Sequence, residues 1–293
     1  MIQPPHAFFE GGGGRGSMIA ASTSHVTHRA CQAPLVIALH CSGGSGRQWR
    51  SLAERLDDSY RLIAPDLIGA PGGGTWTGAG AFHLTHEAAG ILEMIDHHDG
   101  PVHLVGHSYG GGLAPHIAAM RPDRLASLSL YEPSAFHLLR ELDCEGHEAL
   151  GEVLAIAGTV HDGLINGSYL TATAHFIDYW GGAGIFAAMK PELQAALVRF
   201  LPKASLDFHA LIHESTPASE YARFGFPVLV LRGEFAPVPT RLIARELVSR
   251  VPAAIGAIVP GAGHMGPLTH ADVVADRLVR QISFHDTAGS RAA

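Results

Sequence analysis

At 293 residues, with 47% hydrophobic and 16% charged residues, the chain is long enough for one large domain and has the makeup of a globular fold with a sparse charge shell. Its 20 Lys plus Arg against 27 Asp plus Glu leave a formal net charge of −7, which argues against a nucleic-acid partner and gives no reason to expect an anionic membrane as one. Three cysteines, Cys31, Cys41 and Cys144, are too few for a disulfide framework and point to a reducing, cytoplasmic setting.

The stretch Met1–Gly16 has neither a basic start nor a long apolar core, so no secretory leader is expected. No later run of about 18 uncharged apolar residues would span a membrane. Residues 1–33 read as a flexible extension, with glycine-laden Glu10–Gly16 inside it. Gly11, Gly13 and Gly16 have G-x-G-x-x-G spacing, but no strand precedes them and no helical pattern follows, so they do not make a dinucleotide site.

Ordered structure is expected from Pro34. Leu35–Leu39 reads as a strand, Gln48–Leu56 as a helix and Arg61–Ala64 as a second strand. Leu84–Ile95 places Ala88, Ile91, Leu92 and Ile95 at helical spacing. Val102–Val105 is a third strand, Gly110–Met120 a small-residue helix and Leu125–Leu130 a fourth strand. From Ser134 to Ala222 this rhythm gives way to helical patterns carrying Phe176, Tyr179, Trp180 and Phe186. It resumes with the strand Val228–Leu231, a helix over Thr240–Val248, a strand over Ile255–Val259 and a helix over Ala271–Ile282. Apolar strands alternating with helices indicate an α/β fold with a mostly parallel sheet covered on both faces. The division expected is a core of 34–133 and 223–284, a helical insertion of 134–222 and a tail of 285–293.

Gly106-His107-Ser108-Tyr109-Gly110 follows the third strand and precedes a helix, the context that a G-x-S-x-G nucleophile turn requires. Glycines flank Ser108 because side chains would obstruct a tight, strained turn. A serine hydroxyl needs a base. Among 20 histidines, His264 stands out, in the loop Gly261–Pro267 after the last strand, where the ends of parallel strands converge. His107 points the wrong way to take the proton and is expected to pack behind the turn. A carboxylate must orient the imidazole. Glu132 and Glu234 both follow strands, and topology alone does not separate them. His86-Glu87 and His147-Glu148 do not continue as H-E-x-x-H, and Asp96-His97-His98-Asp99 reads as a solvated helix end rather than a metal site.

From about Pro34 to Ile282 the sequence resembles the α/β-hydrolase superfamily, in its capped serine hydrolase branch. The resemblance rests on Leu39-His40-Cys41-Ser42-Gly43-Gly44, Ala64-Pro65-Asp66-Leu67-Ile68-Gly69, the Ser108 turn and Gly263-His264, in that order. In most relatives the acid follows the strand after the cap, in a pattern like Gly-Glu-x-Asp; Gly233-Glu234-Phe235-Ala236 carries alanine at the aspartate position. Other relatives, haloalkane dehalogenases among them, carry the acid after the earlier strand, and Glu132 matches that position. The resemblance also implies backbone oxyanion donors at Tyr109 and Ser42 and a structural role for Asp66; Cys41, which no such nucleophile turn presents, is expected to pack.

The expected activity is that of a serine hydrolase cleaving an ester or lactone of a small or medium organic substrate. Ser108, His264 and Glu132 would act, no cofactor or metal would be needed, and Phe176, Tyr179 and Trp180 would line the pocket. A monomer and a homodimer are both compatible with the sequence. The same resemblance extends to C–C bond hydrolases, cofactor-independent oxygenases and perhydrolases, and the competing class is a ligand-binding protein that retains these residues.

Overall fold

The computed structural model describes residues 33–289. Residues 1–32 of the expected extension, with the glycine-spaced motif and Cys31, lie outside them. Six strands form one fully parallel sheet: β1 (Leu35–Leu39), β2 (Arg61–Ile63), β3 (Val102–His107), β4 (Leu125–Tyr131), β5 (Val228–Gly233) and β6 (Ala254–Val259), in the order β2-β1-β3-β4-β5-β6. The core helices are α1 (Arg50–Arg55), α2 (Leu84–Asp96) and α3 (Tyr109–Met120). Between β4 and β5 come α4 (Cys144–Ile165), α5 (Tyr169–Gly181), α6 (Ile185–Ala188), α7 (Pro191–Ile212) and α8 (Ala218–Tyr221). The chain returns to the core with α9 (Val238–Arg250), α10 (Gly266–Thr269) and α11 (Ala271–Gly289).

Successive side chains of a strand point to opposite faces, so the strands send apolar residues into both layers of helices. Val36, Ala38, Val105, Leu229 and Leu231 face one side of the sheet and pack with Trp49, Leu52, Val274, Leu278 and Ile282, from α1, α11 and the turn before α1. Their neighbours Leu35, Ile37, Leu39, Leu104, Val228 and Val230 face the other side, against Ile91, Leu113, Ile117, Ile243 and Leu247 of α2, α3 and α9. The helical insertion continues this second core through Val153, Ile156, Phe176, Leu201 and Phe208, so its inner face is apolar where it meets the sheet's carboxyl edge. Among the described residues, no helix is long and apolar enough to cross a membrane.

Several element ends fall one or two residues from the expectation, and three differences stand out. The first helix opens with a 3-10 turn, Gly46–Trp49, before α1. β3 runs on to His107, delivering the chain directly into Ser108. The last helix continues as far as Gly289, through residues expected to belong to a tail.

Several of the histidines lie inside these layers. His137, in the 3-10 turn Phe136–Glu141, is hydrogen-bonded through Nε2 to the Tyr221 hydroxyl at 3.2 Å. Burial, only partly offset by Glu214 and Glu141, pulls its pKa from 6.5 down to about 4. Between those values the unfolded chain binds a proton that the folded chain refuses, so stability falls as pH drops through this window. The loss is about 3 kcal/mol for this one group. Between neutral pH and pH 4.5 the urea midpoint of the parent should therefore fall relative to that of His137→Gln; a midpoint difference that stays constant over that range would contradict this assignment.

Candidate active site

Strand register sets the site. His107 of β3 lies opposite Tyr131 of β4, and Tyr131 opposite Leu231 of β5, so Ser108 and Glu132 leave adjacent strands at the same level. Ser108 has φ 54° and ψ −114°, a conformation that L residues seldom adopt and that costs about 1–3 kcal/mol. The surrounding backbone over-determines it. Its N–H donates to the Tyr131 carbonyl (3.1 Å), and its carbonyl accepts from Gly112 (2.9 Å) and Ser134 (3.0 Å). The flanking glycines are required by space: a Cβ on Gly106 would stand 2.3 Å from the Gly110 carbonyl oxygen, and one on Gly110 would stand 2.4 Å from that of Leu39.

The turn aims the hydroxyl at His264. Ser108 Oγ is 2.9 Å from His264 Nε2, and His264 Nδ1 is 2.8 Å from Glu132 Oε2. A carboxylate can only accept there, so Nδ1 carries the proton and Nε2 is left as the acceptor for the serine hydroxyl. Glu132 has no solvent exposure; its Oε1 accepts the Gly233 N–H (2.8 Å) and its Oε2 the Thr240 hydroxyl (2.9 Å). Glu234 is exposed and accepts the Gly261 N–H at 2.8 Å, which stiffens the loop without facing the imidazole.

The histidine loop is clamped on both sides. The Tyr131 hydroxyl donates to the Gly263 carbonyl at 2.8 Å, and His107 donates through Nε2 to the His264 carbonyl at 2.8 Å. Burial, with the adjacent His264, holds the His107 pKa well below the ordinary histidine value, so it is a neutral brace behind the turn. Trp180 of α5 packs against the His264 ring, with centroids 4.5 Å apart.

A cavity of about 190 Å³ opens at Ser108 between the sheet edge and the helical insertion. Ser42, Tyr109, Phe176 and Trp180 line it, as do Ser134 and Asp207. Tyr179 is not among its lining; it hydrogen-bonds Glu152 at 2.6 Å and packs edge-on against Trp180, which corrects its expected place in the pocket. As the first residue of α3, Tyr109 has an N–H with no intrahelical acceptor. The Cys41 N–H is engaged by Gln48 Oε1 at 3.2 Å, which leaves Ser42 as the next amide of that loop. Burial pushes the Cys41 thiol up to about 12, so it stays protonated and does not compete as a nucleophile.

Asp66 accepts the Gly46 and Gly72 amides (2.8 and 3.0 Å), and the His40 ring joins the Cys41 carbonyl to the Leu67 amide; both residues brace loops. Asp96 is held by two bonds from Arg121 at 2.8 and 2.9 Å. Sequence reasoning missed Thr240, Ser134 and Asp207. Nothing local marks the first two, and Asp207 has only an i,i−4 lysine, a pattern shared with ordinary surface pairs.

The sequence pattern of the alpha/beta hydrolase family matches residues 36–277, most of the chain. The chain belongs to the alpha/beta hydrolase family. Lipase LipV of Mycobacterium tuberculosis is 37% identical over 103 residues, 34% of this chain and 37% of that protein. A haloalkane dehalogenase of Mesorhizobium japonicum is 34% identical over 116 residues, 39% of this chain and 37% of that one. The matches thus span little more than a third of these curated relatives. Solved structures agree in fold over much greater length. A hydrolase from Oleispira antarctica superposes with a TM-score of 0.69 at 15% identity, covering 92% of this chain and 96% of that one. A thermophilic esterase from Thermogutta terrifontis gives a TM-score of 0.62 at 19% identity, covering 87% and 91%. Within this hydrolase fold, Ser108, His264 and Glu132 form a triad whose order along the chain is nucleophile, acid, base, and whose geometry supports nucleophile-based hydrolysis.

The environment of Glu132 gives a sharp expectation for Glu132→Gln. The Gly233 N–H claims the amide oxygen, so the amide NH2 faces His264 Nδ1 and selects the tautomer that cannot accept the serine proton. Ester turnover should fall by roughly 10³–10⁴-fold in kcat, while Glu234→Gln should stay within about threefold of the parent. Steady-state kinetics of both variants, after circular dichroism confirms folding, checks this; equal activity of Glu132→Gln and the parent would remove Glu132 from the triad.

Proposed function

We propose that this protein hydrolyses a carboxylic ester or lactone of a small or medium organic substrate through an acyl-serine intermediate. The observation that carries the reading is the unbroken path from Glu132 through His264 to Ser108 Oγ, ending at an apolar cavity. As Ser108 attacks the substrate carbonyl, His264 takes its proton and Glu132 stabilises the imidazolium. The Tyr109 and Ser42 amides face the oxygen on which charge develops. The leaving alcohol receives the proton from His264. Water activated by the same imidazole then attacks the acyl-serine and restores the enzyme.

The shape of the pocket supports the substrate class. The helical insertion roofs the cavity, which favours a compact substrate over a polymer. Phe136, Phe176, Ile177, Leu197, Phe208 and Leu211 on its walls favour an apolar acyl or alcohol group. A small neutral organic substrate also fits the net charge of −7, which disfavours nucleic acid. The cytoplasmic setting read from the cysteines is part of the same proposal.

A fluorophosphonate probe should label the parent rapidly, and Ser108→Ala should abolish the labelling. Against a panel of short-chain p-nitrophenyl esters and γ- and δ-lactones, Ser108→Ala and His264→Ala should each lose at least about 10⁴-fold in kcat/KM. Release of acid from vinylogous diketones in preference to esters would reassign the chemistry to C–C cleavage, and substrate-dependent oxygen uptake would reassign it to an oxygenase. A folded parent that neither labels nor turns over any of these compounds would leave the binding-protein reading in its place.

A further inference from the structure

Three buried charged side chains lie beside the site and take no part in the proton path. Lys203 and Asp207 are one turn apart on α7 of the insertion, and Glu87 is on α2 of the core; they are 7%, 3% and 5% exposed. Lys203 Nζ donates to Glu87 Oε2 at 3.1 Å and to Asp207 Oδ1, and it sits over the rings of Phe82 and Tyr109 at 4.7 and 4.6 Å. Burying such groups is costly, and a well-packed apolar trio often serves stability as well or better. Holding the insertion down is therefore a poor account of them.

Their outer contacts suggest a different role. Asp207 Oδ2 accepts the Ser42 hydroxyl at 2.5 Å. Glu87 Oε2 accepts the Tyr109 hydroxyl at 2.8 Å, and Glu87 Oε1 accepts the Ile68 N–H at 2.7 Å. The two ends of the network are thus the side chains of Ser42 and Tyr109, the residues whose amides are proposed to stabilise the oxyanion. Helix α7 also fits closely over both loops. A Cβ on Gly43 would stand 3.2 Å from Leu197 Cδ2, and one on Gly69 would stand 2.7 Å from Lys203 Cγ.

We propose that Asp207 is a positioning residue for the oxyanion hole: from α7 it fixes the Ser42 hydroxyl and hence the Ser42 amide, with Lys203 and Glu87 locking it in place. This rests on the serine-hydrolase reading above. The oxyanion donors are then fully aligned only when α7 is seated, so closure of the insertion and competence of the hole are one event. Preorganised donors act on the transition state more than on the bound substrate, so their misalignment lowers kcat rather than raising KM.

The test uses the full chain, with p-nitrophenyl butyrate as the ester and an alkyl trifluoromethyl ketone as the oxyanion mimic. Ser42→Ala keeps the amide and removes only the tether. It should lower kcat about tenfold with KM within about twofold, and weaken trifluoromethyl ketone inhibition by a similar factor. Binding of the matching methyl ketone, which forms no stable adduct, should stay within about twofold. Asp207→Ala should show the same pattern; Asp207→Asn, whose oxygen faces the Lys203 ammonium and whose NH2 can donate to Ser42 Oγ, keeps the tether with its direction reversed and should recover most of the activity. Because both act through one contact, Ser42→Ala/Asp207→Ala should be no slower than the slower single variant.

If Asp207→Ala does not fold, the comparison of Ser42→Ala with Asp207→Asn decides alone. Parent-like kcat in Ser42→Ala, losses that multiply in the double variant, or an effect confined to KM would overturn the positioning role and leave the hydrolase reading intact. A folded parent that neither hydrolyses the ester nor reacts with a fluorophosphonate would overturn both.

Discussion

A single carboxylate without solvent contact joins the parts of this site. Glu132 receives a backbone amide from β5, a hydroxyl from α9 and the imidazole of the loop after β6, while its own backbone continues from β4. A buried anion with one or two of these partners would be costly; with three donors directed at its two oxygens it is both tolerated and oriented. Its backbone φ of 41° adds local strain, which persists because the side chain is anchored at three points. Remove that anchor and the imidazole loses the group that sets its tautomer, while β5 and α9 lose a shared acceptor.

The insertion acts on the same chemistry from the opposite side. Trp180 covers one face of His264, so the imidazole works in a protected setting where its contact with Glu132 is little screened. Helix α7 brings charge close to the mouth of the cavity, but commits it to neighbours. Burial raises the Asp207 pKa to about 6, despite the opposing pull of Lys203 and Ser42. Burial would lower the Lys203 pKa, but Asp207 and Glu87 outweigh it and the net shift is upward. The ammonium therefore stays charged, and the pocket itself remains predominantly apolar.

Sequence patterning exposed the framework because a parallel sheet whose inner strands are buried on both faces must be written in short apolar runs; the six strands lie where such runs fall, although the edge strand β6 leaves Ile255 and Ile258 exposed. Ser108 was legible for a local reason: a strained turn between strand and helix leaves glycines at fixed offsets. His264 followed from its place after the last strand. The choice between Glu132 and Glu234 could not be made locally, since both follow strands; it depends on register and on which side chain turns inward. Lys203, Asp207 and Glu87 were harder still. A Lys–Asp pair one turn apart is the signature of a solvated helix face, and only the seating of Lys203 against Glu87 and the rings of Phe82 and Tyr109 reverses that meaning. Tyr179 failed in the opposite sense: as an aromatic residue it suited a pocket wall, but its hydroxyl was drawn outward to Glu152.

The departure at Ala236 acquires a physical meaning in this arrangement. Tyr131 lies opposite Leu231, so a carboxylate leaving the end of β4 emerges beside the end of β5. Glu132 then uses the Gly233 N–H, an amide of β5 itself, to hold Oε1, while Oε2 turns to His264. The β5 turn still supports the acid without supplying it. Glu234, two residues before Ala236, is exposed and braces the Gly261 end of the histidine loop. The charge that orients the imidazole and the backbone that orients the charge thus come from neighbouring strands, and the parallel register between them brings both to one place.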